Sequence, residues 1–78
     1  MKVPSDPRLR AMTARVLVSA LKRAEFRVDR QTGSHLTLVH RDGRRAVVPL
    51  HRAPLKPGTL RGILREAGMR PADLGPFL

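Results

Sequence analysis

Hydrophobic positions along the chain follow two different periods, and the switch between them divides it into elements. From Thr13 onward, Val16, Leu17, Ala20, Leu21 and Ala24 recur at three- and four-residue spacing. That spacing lays one apolar stripe along a helix of about eleven residues. Thr13 stands where an N-cap hydroxyl is wanted, and Arg15, Ser19, Lys22 and Arg23 fall mainly on the solvated side. At Phe26 the period drops to two. Phe26 and Val28 alternate with Arg27 and Asp29 as in a half-buried strand running to Arg30. Arg30-Gln31-Thr32-Gly33 reads as a turn. Leu36 and Leu38 then form the apolar face of a second strand, so His35, Thr37 and Val39 take its opposite face.

Arg41-Asp42-Gly43-Arg44 has the composition of a hairpin turn. The third strand, Arg45 to Leu50, places Ala46, Val48 and Leu50 on one side and Arg45 and Val47 on the other. Pro49 has no N–H to give a ladder, so it ends this strand or lies on an edge. A connection over 51–58 leads to a second helix opened by Pro57-Gly58-Thr59, with Lys56 or Thr59 near its cap. Leu60, Ile63, Leu64 and Ala67 form its stripe and Gly68 its stop. Met69 to Leu78 contains Pro71, Gly75 and Pro76, which leave room for at most one more turn.

The order is therefore helix, three antiparallel strands, helix: an α+β domain over 13–78, preceded by an N-terminal arm over 1–12 rich in proline. Pro7 after Asp6 could instead open an early helical turn. Pro4-Ser5-Asp6-Pro7 also matches a Pro-x-x-Pro ligand, although a solvated leader is the simpler reading. If both helices cover the face made by Phe26, Val28, Leu36, Leu38, Ala46 and Val48, the open face carries Arg27, His35, Thr37 and Arg45.

Composition narrows what such a domain does. At 78 residues the chain forms one small core. It has no cysteine, so neither disulfides nor a Cys-ligated zinc supplement that core. No apolar run approaches the ~20 residues of a membrane span and the N-terminus is unlike a signal peptide, so the expected compartment is the cytoplasm. Sixteen Lys and Arg against six Asp and Glu give a formal charge of +10, which points to a polyanionic partner. Thirteen of the sixteen are arginine, whose planar fork suits phosphate. Phe26 and Phe77 are the only aromatic residues, too few for a sheet that stacks several bases.

The candidate chemistry sits at Gly33-Ser34-His35. A histidine can take and return a proton near neutral pH. From the tripeptide alone an idle strand-end histidine is the commoner case. Gly33 serves a tight turn or the close approach of a ligand, and Ser34 bonds a phosphate or merely caps the turn. His51 is a possible second acid or base, with an ordering role in the loop as the plainer alternative; His40 is read as structural. Lys56 and Arg61 could hold phosphate together with a helix N-terminus, or form a solvated basic face. No carboxylate cluster of the kind that binds two metal ions occurs, so neither metal nor cofactor is expected.

Read together, Leu21-Lys22-Arg23-Ala24 leading to Phe26, Gly33-Ser34-His35, Asp42-Gly43-Arg44-Arg45, Pro49-Leu50-His51, and Lys56-Pro57-Gly58-Thr59-Leu60-Arg61 followed by Ile63-Leu64 and Ala67-Gly68 resemble the HicA-type toxins, mRNA-cleaving partners of HicB antitoxins in prokaryotic toxin-antitoxin modules. The resemblance runs from about Thr13 to Met69. It implies a fold like the double-stranded-RNA-binding domain, metal-independent endoribonuclease activity on mRNA, a HicB-type antitoxin as partner, and a catalytic role for His35. Arg27, Gly33, Ser34, Arg45, Lys56 and Arg61 are the residues expected to contact RNA. Two positions depart from the family pattern. Glu25 stands where a glycine usually ends the first helix, and Ala14 where a glycine often follows the N-cap.

Two other classes of function compete: a basic module that holds structured RNA without cutting it, and a protein-interaction domain whose charge docks an acidic partner. Cleavage in EDTA that depends on His35 separates the first from an enzyme.

Overall fold

The computed structural model describes residues 7–78. Its elements are α1 (Pro7–Arg10), α2 (Ala14–Arg23), β1 (Phe26–Thr32), β2 (His35–His40), β3 (Arg45–Pro49), α3 (Pro57–Glu66) and α4 (Pro71–Leu74), with a final 3-10 turn over Gly75–Phe77. The three strands form an antiparallel sheet in the order β1-β2-β3, and α2 and α3 pack on one face of it, as the alternation predicts. Among the described residues no helix is long and apolar enough to cross a membrane.

Helix α2 begins where a hydroxyl is available: Thr13 is extended and its Oγ1 accepts the Val16 N–H at 3.3 Å. Its buried stripe is Ala14, Leu17, Ala20 and Leu21. Val16, expected in that stripe, is 44% exposed, because it lies on the helix flank rather than over the sheet. The helix ends at Glu25, which takes φ +72, the left-handed conformation a glycine would adopt without strain.

The core joins that stripe to Phe26, Leu36, Leu38, Ala46 and Val48 of the sheet and to Leu60, Ile63, Leu64 and Ala67 of α3. Each fully buried leucine contributes roughly 1.5–3 kcal/mol relative to leaving it in water. Residues outside the predicted helices and strands complete the core at both ends of the chain. Met12, assigned to the arm, is 1% exposed, and its carbonyl accepts the Leu55 N–H at 2.7 Å. Pro7–Arg10 forms the early helical turn, while the Pro4-Ser5-Asp6 part of the arm lies outside the described residues. At the other end, two short turns replace the single one expected, and Leu74 is fully buried.

Strand β1 differs most from its sequence reading. It continues through Arg30, Gln31 and Thr32, and the turn shrinks to Gly33 and Ser34, since Thr32 still pairs with His35. A bulge at Asp29 breaks the register: Val28 pairs with Leu38, but the next pair is Arg30 with Thr37. Val28 shares the helix-covered face, yet it is 47% exposed because it lies on an edge strand beyond the reach of the helices.

Topology orients the helices. The C-terminal end of α3 meets the β2–β3 turn, where Arg44 Nη1 donates to the Ala67 carbonyl at 2.9 Å. Arg44 also holds Asp42 at 2.8 Å and lies over the Phe26 ring at 5.4 Å. Gly68 follows with φ +70, and a Cβ there would stand 2.8 Å from Arg44 Cδ, so both conformation and space require glycine. The Arg44 backbone N–H and guanidinium hold the Asp42 carboxyl below its ordinary value, and Arg70 does the same for Asp73, chiefly through its backbone N–H.

The edge of β3 is closed in two ways. Glu66 Oε1 accepts the outward Val47 N–H at 3.3 Å, and Pro49, at the same edge, has no N–H to offer.

Candidate active site

His35 is the first residue of β2, paired with Thr32 of β1 and Pro49 of β3. Gly33 adopts φ +58, the positive φ wanted at the first central position of a two-residue hairpin turn. Nothing lies within 4 Å of where its Cβ would be, so turn geometry rather than crowding within the chain calls for glycine. The Gln31 side-chain amide donates to the Gly33 carbonyl at 3.1 Å, and the Leu50 N–H donates to the Ser34 carbonyl. The turn is thereby tied to both flanking strands, and His35 leaves it onto the open face of the sheet.

The imidazole is exposed, and among the described residues it has no hydrogen-bond or ion-pair partner. Among the described residues no carboxylate orients it, unlike the histidine of a nucleophile–histidine–acid triad. Its ring is available to a bound molecule. Among the described residues no group of three histidines or carboxylates could hold a metal ion.

The sequence-derived site residues divide into two groups. Arg27 and Arg45 do lie on the open face, but both pair with Val39. That rung lies four residue steps along β2 from His35, about 13 Å at ~3.3 Å per step. They face a different part of any extended ligand than His35 does. Gly33, Ser34, His51 and Lys56, by contrast, gather at the His35 end of the domain, because β3 ends there and α3 begins there. Lys56 is the N-cap of α3, without a side-chain cap bond, and Arg61 is exposed one turn into the helix.

His51 leaves the strand direction at once, its N–H donating to the Pro49 carbonyl at 3.1 Å. The turn brings it and Arg52 to the mouth of a groove between α2 and the sheet end. It stands at the same end as His35 without sharing its face.

His40 is half-buried, edge-on to Phe26 with ring centroids 5.2 Å apart. Its Nδ1 accepts the Asp42 N–H at 3.2 Å and lies 3.0 Å from Asp42 Oδ1. The structural reading of His40 therefore holds.

Arg30 is the residue the alternation missed. Continued from Phe26 and Val28, period two would send it to the helix-covered face. The bulge at Asp29 instead sets it opposite Thr37, on the open face and only two residues along the sheet from His35. Among the described residues Arg27, Arg30 and Arg45 have no acidic partner, so the open face carries three such guanidiniums, of which Arg30 is nearest along the sheet to the imidazole.

A family model described as HicA toxin of bacterial toxin-antitoxin matches residues 14–69. The match spans α2 through Met69 and includes His35, His51, Lys56 and all three strands. No curated protein matches the chain.

Proposed function

The chain belongs to the HicA toxin family of bacterial toxin-antitoxin systems, and from that premise we propose that it is a metal-independent endoribonuclease that cleaves mRNA in the cytoplasm and is held in check by a HicB-type antitoxin. The observation that carries the reading is the exposed imidazole of His35, without a partner among the described residues, at the Gly33-Ser34 turn and at one end of a face bearing Arg27, Arg30 and Arg45.

In the reaction, His35 accepts the proton of a ribose 2′-hydroxyl, and the 2′-oxygen attacks the adjacent phosphorus. The new 2′-O–P bond forms as the P–O5′ bond breaks, leaving a 2′,3′-cyclic phosphate and a 5′-hydroxyl that takes up a proton. Arg30 is the guanidinium nearest along the sheet to receive the charge that develops on the phosphate oxygens. Arg27 and Arg45 hold the backbone further along the strand. Lys56 and Arg61 hold it on the helix side, at the N-terminus of α3, which no N-cap side chain covers. Solvent returns the proton to the leaving oxygen, with His51, at the same end of the sheet but off its open face, as the alternative donor.

Incubating the protein with a long RNA in EDTA, beside His35→Ala checked for an intact fold by circular dichroism, tests this reading. Cleavage by the parent alone supports it. Binding without cleavage by either protein would leave a non-catalytic RNA-binding module.

A further inference from the structure

Between α2 and the ends of β2 and β3 runs an open groove of about 800 Å³. Its floor is aliphatic, made by Ala14, Val18, Leu36 and Leu50, and its rim carries Arg15, Lys22, His51 and Arg52. Among the described residues no carboxylate lines it. This is the helix-covered side of the sheet, around the corner from the open face that carries His35, and the proposed cleavage chemistry uses of it only His51, at its mouth.

We propose that this groove receives an acidic, aliphatic segment of the partner antitoxin. The proposal rests on the family's toxin-antitoxin pairing and not on RNA cleavage.

The chemistry of the lining selects a polypeptide over RNA. Proteins that grip single-stranded RNA stack its bases on aromatic rings or read their edges with amides and carboxylates. Among the described residues the groove contains no Phe, Tyr or Trp and no amide; its one ring, the His51 imidazole, lies at the mouth, the Thr13 hydroxyl is engaged with the Val16 N–H, and Ser19 supplies the one other hydroxyl. Half-buried Val18 and Leu50 offer methyl groups instead, which gain by covering with leucine- or valine-like side chains. Arg15, Lys22 and Arg52 are exposed and lack acidic partners among the described residues, so the complement to the rim is a row of carboxylates. Aliphatic floor and cationic rim together describe one occupant, a segment alternating Leu or Val with Asp or Glu. Seated there, it would cover His51 and crowd the Ser34–Leu50 corner, so that an RNA strand reaching His35 would meet the partner first.

The test uses the full chain and the purified antitoxin of its own module. Antitoxin affinity is measured by titration calorimetry for the parent, for Arg15→Glu/Arg52→Glu, and for Val18→Asp, each shown by circular dichroism to be folded. Affinity for a long RNA is measured in parallel. We expect antitoxin binding to weaken at least tenfold in the double reversal and in Val18→Asp, with the RNA affinity of Val18→Asp within about twofold of the parent, since that position makes no phosphate contact. Unchanged antitoxin affinity in both variants would overturn the proposal, as would a loss of RNA affinity in Val18→Asp equal to its loss of antitoxin affinity, which would make the groove an RNA site. A chain that cuts no RNA would defeat the ribonuclease reading and leave this measurement intact.

Discussion

Arg30 stands opposite Thr37 across β1 and β2, although the alternation that begins at Phe26 would have put it on the other face of the sheet. One extra residue, Asp29, reverses the side taken by everything after it. If this arginine holds phosphate, Arg30→Ala should reduce the slope of log K against log salt on single-stranded RNA by about 0.7. Folding should be unchanged, since the side chain is exposed. A salt titration of parent and variant checks it, and an unaltered slope would remove Arg30 from the interface.

His35→Ala should lower the cleavage rate by roughly 10²–10⁴-fold, the usual contribution of one positioned proton-transfer group. Because the ring has no partner among the described residues, thermal unfolding should occur at the parent's temperature. A matching loss of stability would mean that the histidine supports the hairpin rather than the chemistry.

Glu25→Gly should stabilise the protein. The left-handed conformation at φ +72 costs a side-chain-bearing residue roughly 1–2 kcal/mol, and part of the gain is offset by glycine's larger unfolded-state entropy. A net gain of about 1 kcal/mol would raise the melting temperature by about 4–8 °C in a domain this small. Calorimetry reads it directly.

Gly68→Ala should destabilise for two separable reasons, the positive φ and the 2.8 Å approach of its Cβ to Arg44 Cδ. The second disappears when Arg44 is shortened. Denaturant unfolding of Gly68→Ala, Arg44→Ala and the double variant should therefore show the glycine substitution costing less in the Arg44→Ala background, a coupling that additive behaviour would exclude.

Asp42 and Asp73 have their carboxyl pKa values lowered in the folded chain, first by the backbone N–H groups of Arg44 and Arg70. A carboxyl held below its unfolded value adds stability above that value and loses it as pH falls through the folded one. The urea midpoint should thus fall as pH drops below about 4. Asp42→Asn should flatten that fall.

Most of the architecture was legible because it depends on short-range pattern. Thr13, the leucine stripe of α2, the Asp42-Gly43 turn and the Gly68 stop each have a local physical cause. The stretch from Asp29 to Thr32 did not yield in this way. A bulge leaves no mark in an alternating pattern whose later members, Arg30, Gln31 and Thr32, are polar whichever face they take. The site was legible in part for the same reason. His35, Ser34 and Lys56 lie at ends of elements that the pattern located, whereas the distance of Arg27 and Arg45 from His35 emerges only from the register of the sheet. The packed C-terminal turns were missed because Leu74, Phe77 and Leu78 are spaced by Gly75 and Pro76, which read as a tail until a core is present to receive them.

Helices α2 and α3 both begin at the His35 end of the sheet and finish near the β2–β3 turn, so their backbone dipoles are aligned rather than opposed. The positive poles of two macrodipoles, each worth about half a charge, face the end of the molecule where the hairpin presents its imidazole. That polarity belongs to the main chain. It would persist in a variant stripped of its surface arginines, and it leaves even such a variant with one electrically positive end.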